Sequence, residues 1–110
     1  TDVYRLHADG HLVFRHEPLA VQDPSFEIGE VAGHLHPCGR IRQRGRSLRK
    51  RCFVSDGTRL ILPAFGALTG SLNVRDLAFQ DLFSQAYHVW LLGERRTAKI
   101  SRRQLLPDRG

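Results

Sequence analysis

His16, His34 and His36 each follow an apolar run, in the pieces His16-Glu17-Pro18 and Gly33-His34-Leu35-His36-Pro37. Neutral imidazole is the commonest metal ligand among side chains, so the chemistry these positions offer is the binding of a catalytic metal ion. If the chain through 34–36 is extended, alternate side chains share a face, and His34 and His36 point together into one cavity around Leu35. The pair alone is weak, because a chain with six histidines in 110 residues produces a His-x-His by chance with a probability of about a third. Its neighbours strengthen it. Gly33 allows a tight turn at the end of an apolar stretch over 28–32, and Pro37 stops that strand, which puts both histidines at a strand end.

Metal-bound imidazoles usually donate their second N–H to a carboxylate or carbonyl, and Glu17 is the nearest candidate for that supporting role; a plain surface carboxylate is the alternative. Cys38, beside the pair, is a further option as a ligand. A thiolate favours zinc, however, whereas three histidines suit a hydrolytic site for a harder ion. His7, His11 and His88 lack such context and are assigned to core or surface roles.

The elements that must position these residues read mostly as strands. Residues 3–7 and 11–15 form a hairpin across Asp9-Gly10, a strong turn signal, and Phe14 leads directly to His16 before Pro18 ends the strand. Residues 19–26, with Pro24, read as a loop, and 27–32 as a short strand. Strands are expected at 40–46 and 47–54, separated by Gly45, then a turn at Ser55-Asp56-Gly57 and a strand at 59–63. Residues 64–73, with Gly66 and Gly70, predict a close-packed loop. A short helix is expected over 76–85 and a strand over 87–92, with Glu94-Arg95-Arg96 turning into a last strand.

An isolated His after a strand, followed by Gly-His-x-His, resembles the closing motifs of the calcineurin-like metallophosphoesterases. Downstream, Arg51-Cys52-Phe53, Ile61-Leu62-Pro63-Ala64-Phe65-Gly66, Leu68-Thr69-Gly70 and Asn73-Val74-Arg75-Asp76 resemble the PdeM family, the ligase-associated DNA damage response endonucleases of bacteria. The likeness covers most of residues 11–85. It implies an α+β fold class, with residues 1–110 forming a partial domain: the β-dominated carboxy-terminal half of a four-layer αββα sandwich, carrying the last two metal-binding motifs.

The family's earlier motifs, Asp-x-His, Gly-Asp-x-x-Asp and Gly-Asn-His followed by Asp or Glu, have no counterpart in order before His16. Asp9-Gly10-His11 spells the first, but the four residues between it and His16 leave no room for the other two, and the hairpin turn explains it. With Thr1 at the start and no Met anywhere, the expectation is a carboxy-terminal piece of a protein about twice as long.

The resemblance assigns His16 and His34 to one metal ion and His36 to a second, with a bridging Asp and other ligands in the absent half. It implies two divalent ions, manganese by family, which polarise the phosphoryl oxygen and generate hydroxide for in-line attack. The leaving-group acid, the His of Gly-Asn-His, is absent too, so no catalytic residue is expected in this chain and the chain alone is expected to be inactive. Family context implies DNA as a partner, and a DNA ligase, a helicase and a nuclease of one repair set as associates.

Composition bounds the rest. A length of 110 residues, 41% of them hydrophobic, allows one domain or part of one with a modest core. No apolar run approaches the roughly 18–20 residues that cross a bilayer, and no signal segment opens the chain, so a soluble cytoplasmic protein without membrane partners is expected. Two cysteines without secretory features read as reduced thiols, with Cys52 in the core.

The net charge of +6 and pI near 10.3 favour acidic partners such as nucleic acid. Seven of the twelve residues from Arg40 to Arg51 are basic. Alternation places Arg40, Arg42, Arg44 and Arg46 on one face of a strand, where guanidinium groups match the phosphates of a nucleic-acid backbone. A solvated, aggregation-resistant edge is the plainer reading, and the same holds for Arg95, Arg96, Lys99, Arg102 and Arg103. Two functions therefore compete: a dinuclear metal-dependent phosphoesterase or endonuclease acting on DNA in repair, and a non-catalytic basic module that binds nucleic acid.

Overall fold

The computed structural model describes residues 3–6, 10–65, 70–83 and 85–108. In chain order its strands are β1 (Val3–Leu6), β2 (Leu12–Arg15), β3 (Glu30–Ala32), β4 (Pro37–Gln43), β5 (Arg46–Ser55), β6 (Arg59–Ile61), β7 (Leu72–Asn73), β8 (His88–Leu92) and β9 (Thr97–Ile100). Short 3-10 helices occupy Leu77–Leu82 and Arg102–Gln104. Among the described residues the fold is thus a mixed, strand-rich sheet compatible with a β-dominated half-domain, and its helical part is reduced to these two segments.

β1 and β2 form the expected antiparallel hairpin, with Val3 opposite Arg15 and Leu6 opposite Leu12; His7 and the Asp9 side of the turn lie outside the described residues. β2, β3 and β6 then run parallel to one another, an arrangement that needs the long crossovers between them. β5 joins two parts of the sheet. Its first six residues pair with β4, while its last four pair with β8, and Val54 and Ser55 also pair with β6. β7 lies parallel to β4, and β9 antiparallel to β8.

The core lies on one side of the sheet, where Ala32, Val54, Ile61, Val89 and Leu91 meet Val74, Phe79, Leu82, Phe83 and Leu105. The helix expected over 76–85 is a 3-10 segment because only Phe79 and Leu82 need burying, and a spacing of three puts both on the same side of a three-residue turn. Asp76 caps it, accepting from Ala78 N at 2.9 Å. β4 approaches β8 so closely that a Cβ on Gly39 would lie 2.6 Å from Leu91 and 3.3 Å from Leu105. A larger residue there would have to push the Leu91 side chain aside.

One charge cluster sits inside this apolar setting. Glu30, fully buried, receives Arg59 Nε at 2.8 Å and a second bond from Arg59 Nη2, while Arg15 Nε lies 2.9 Å from its other oxygen. Arg59 also donates to Leu82 O at 2.6 Å and covers the Phe26 ring. Arg15, Glu30 and Arg59 come from β2, β3 and β6, so the cluster ties the three parallel strands together. Among the described residues no helix is long and apolar enough to cross a membrane.

Candidate functional site

The parallel alignment of β2 and β3 sets Arg15 beside Ala32, so the residues that follow each strand emerge side by side. His16 and Gly33 are those residues, joined by a bond from Gly33 N to His16 O of 3.0 Å. Binding sites of parallel sheets form at this carboxyl edge. His16 and His34 meet there: His34 Nδ1 lies 3.3 Å from His16 Nε2, with ring centroids 5.1 Å apart at 68°. Glu17 Oε1 is 4.0 Å from His34 Nε2, beyond direct hydrogen-bond distance. A cleft of about 350 Å³ lined by Phe14, Val31 and Leu62 opens beside His16, and a second of about 230 Å³ adjoins Glu17 and Leu19.

The segment after Gly33 departs from the extended strand expected of it. His34 and His36 both have left-handed backbone, φ 73° and 51°, and Leu35 N turns back to Gly33 O at 2.9 Å. A period of two therefore does not hold across 34–36, and alternation does not send both imidazoles into one cavity. His36 is instead fixed through its backbone, its carbonyl accepting from Leu72 N at 3.0 Å, which joins the loop to β7. Pro37, expected as a stop, opens β4, a position where its missing N–H costs nothing.

Two imidazole nitrogens that share one ion through bonds of about 2.1 Å stand roughly 3.0–3.4 Å apart at angles near 90–110°. The His16–His34 separation of 3.3 Å fits that edge, and without an ion it is a hydrogen bond between the rings. Among the described residues no three His, Cys, Asp or Glu side chains converge closely enough to hold an ion. The structure thus brings His16 and His34, the pair expected at one ion, together, with Glu17 at the margin. Cys38 is buried and faces elsewhere, its Sγ accepting from Arg49 Nε at 3.0 Å. Cys52 is core, and burial pushes its thiol pKa well up.

The four-arginine ladder is also revised. β4 ends at Gln43, and Arg44 and Gly45 form the turn, with φ 53° and 77° and Gln43 opposite Arg46. A two-residue turn with both φ positive is the tight hairpin connection whose twist suits strand pairs. Arg40 and Arg42 share a face of β4, but Arg44 sits in the turn, and Arg46 falls on the other face with Gln43. What shares the face of Arg40 and Arg42 is Arg49 and Arg51 of β5, with Arg40 opposite Arg49 and Cys38 opposite Arg51.

Arg40 is not free on that face. Its Nε donates to Ser47 Oγ at 2.5 Å, and its Nη1 donates to the carbonyls of Pro107 and Asp108 at 3.0 and 2.7 Å. Arg49 Nη1 pairs with Asp108 Oδ1 at 2.7 Å and its Nη2 with Ser71 O at 2.9 Å. Asn73 and Asp108 escape sequence reasoning because their partners lie tens of residues away; Arg49 was legible only as one charge among many. Asn73 Nδ2 foremost, with Arg49 and Arg40, holds the Asp108 carboxyl below the usual carboxylate range.

No family model matches this chain, and no curated protein does. Among solved structures it is similar to the crystal structure of the nuclease MPE of Pseudomonas putida, with 29% identity over 81% of this chain and a TM-score of 0.54. The chain spans 37% of the length of that nuclease. The fold and part of the sequence described above are therefore shared with a stretch of a nuclease.

Proposed function

We propose that this chain is the histidine-bearing part of a metal-dependent nuclease that hydrolyses phosphodiester bonds in DNA, in the setting of bacterial repair that the sequence resemblance implies. The observation that carries the reading is the meeting of His16 and His34 at the carboxyl edge of parallel strands, with nitrogens 3.3 Å apart, in a chain similar to a nuclease. In this reading His16 and His34 hold one divalent ion and His36 contributes to a second, the remaining ligands coming from a longer protein. Bound there, two divalent ions, manganese by resemblance, supply Lewis-acid polarisation of the phosphoryl group and acidification of a water.

The chain's own residues have narrower tasks. His16 and His34 present ring nitrogens to the ion, and Glu17, 4.0 Å from His34 Nε2, would fix the His34 tautomer by closing to hydrogen-bond distance and accepting its second N–H. The Gly33 turn sets the two rings against each other. The arginine face of β4 and β5 supplies guanidinium groups for backbone phosphates, those of Arg40 and Arg49 in exchange for bonds they make within the chain.

Isothermal titration of manganese into the chain tests the ligand pair: wild type is expected to bind and His34→Ala to bind far more weakly at unchanged melting temperature. Equal affinity in the two would remove His34 from the site. Nicking of supercoiled DNA by a longer form containing this chain, lost in the same variant, is the expected result for the nuclease reading.

A second reading, a non-catalytic module that binds nucleic acid, is favoured by the basic face and by the lack of a three-ligand cluster among the described residues. Under it, DNA binding is salt-sensitive but indifferent to manganese and to His34.

A further inference from the structure

Residues 105–108 lie over the edge of the arginine face as a strap. Leu105 is buried beside Gly39, Leu106 N donates to Arg40 O at 2.7 Å, Arg75 Nη1 donates to Leu105 O at 3.2 Å, and Asn73 Nδ2 donates to Leu106 O at 2.9 Å. These contacts hold main chain. The Asp108 side chain does something else: its Oδ1 accepts from Arg49 Nη1 at 2.7 Å and from Asn73 Nδ2 at 3.0 Å, next to the Arg40 guanidinium.

Asn73 is only 4% exposed, so its amide is fixed and aimed at one carboxylate oxygen. The Arg49 guanidinium and this immobile amide converge on one anionic oxygen, with the Arg40 guanidinium beside them on the Pro107 and Asp108 carbonyls; such charged and fixed donors are what a phosphodiester's non-bridging oxygens require. The carboxylate is not locked in. The Asp108 and Arg49 side chains are 47% and 41% exposed, so the pair is screened by solvent and readily exchanged. A cleft of about 240 Å³ lined by Asn73, Arg75 and Asp76 leaves room beside it.

The place of this cradle matters. Arg49 bonds Ser71 O and Cys38 Sγ, and Leu72, the residue after Ser71, donates its N–H to His36 O. The cradle is therefore tied to the histidine loop through the start of β7, with Arg51, opposite Cys38, between it and the histidine edge along β4.

We propose that Arg49, Asn73 and Arg40 form a phosphate subsite for a nucleic-acid strand extending from the histidine edge, and that Asp108 occupies it in the free chain as an internal competitor. The inference rests on the nucleic-acid reading above. A backbone phosphate entering the cradle displaces the Asp108 carboxylate to solvent while the strap's main-chain bonds to Arg40 and Asn73 persist.

Fluorescence anisotropy of a labelled oligothymidylate with the whole chain tests it. Asp108→Asn, or Asp108→Ser should the first fail to fold, is expected to bind about threefold tighter than wild type, the worth of removing one screened competing pair. Arg49→Gln is expected to bind more weakly, and Asp108→Asn added to Arg49→Gln to bring no gain. Equal or weaker binding by a folded Asp108→Asn, or the same gain with and without Arg49, would overturn the proposal, the latter by showing a general charge effect.

If no variant binds the oligonucleotide, the nucleic-acid reading falls, and inorganic phosphate decides the cradle by itself. A shift of the Asn73 side-chain amide resonances at lower phosphate in Asp108→Asn than in wild type keeps it as an anion site; no shift overturns it.

Discussion

Two carboxylates in this chain are each held by guanidinium groups, and their surroundings give them opposite characters. Glu30 is fully buried between strands and meets Arg59 and Arg15 with its own oxygens divided between them. Asp108 lies at the surface, half exposed, against Arg49 and Asn73. The bond lengths are alike, near 2.7 to 2.9 Å. Burial makes the difference. A charge removed from water has no alternative partner, so the Glu30 cluster is a permanent tie between β2, β3 and β6, whereas Asp108 can exchange its partners for solvent or another anion at small cost.

The sharpest way to break the comparison is Glu30→Ala, which strands Arg59 without its carboxylate among apolar groups. We expect a loss of about 3–5 kcal/mol in urea unfolding, enough to leave much of the chain unfolded; a loss below about 1 kcal/mol would mean that the buried cluster behaves like the surface one. Next in size is His34→Ala. β3 carries Glu30 at its start and delivers His34 just past its end, so removing the imidazole tests the site with the tie intact. Manganese affinity is expected to fall by about 100-fold or more, since even supporting residues cost 10–100-fold, while the melting temperature holds.

A smaller effect is expected for Arg49→Gln: the slope of log affinity for single-stranded DNA against log salt should become shallower by about 0.7, one phosphate contact. The smallest belongs to Asp108→Asn in the absence of any ligand, where stability should drop by less than about 1 kcal/mol. Its pH dependence has a defined sign. Because Asn73, Arg49 and Arg40 lower the folded pKa, the stabilisation is fully present above the unfolded value and disappears as pH falls through the folded one. Melting temperatures of wild type and Asp108→Asn should therefore differ most at pH values above the ordinary carboxylate range and converge as acid protonates the folded carboxylate, at a pH below that range.

Much of this architecture was legible in the residues. The β1–β2 hairpin, the short strand before Gly33 and the strands around 47–54 and 59–63 follow from alternation and turn signals, and those signals are local. The adjacency of His16 and His34 follows only from the parallel pairing of β2 with β3, which no local pattern encodes. The Arg44-Gly45 turn was within reach, since a glycine inside an alternating run marks a break, but the arginines on both sides made the run look continuous. Glu30 and Arg59 could not be matched from the chain alone: they are 29 residues apart, and a lone Glu at a strand start reads as surface. The same distance problem hid Asp108, whose partners precede it by 35 and 59 residues.

The left-handed backbone at His34 and His36 has a consequence for how such a loop survives change. A non-glycine residue held in that region costs about 1–2 kcal/mol, so both imidazoles stand where glycine would make the chain sturdier. On the metal-binding reading proposed above, stability and chemistry pull in opposite directions at these two positions. A laboratory selection for heat resistance alone is expected to admit glycine at both positions, and on the metal-binding reading proposed above that gain would take two imidazoles from the site.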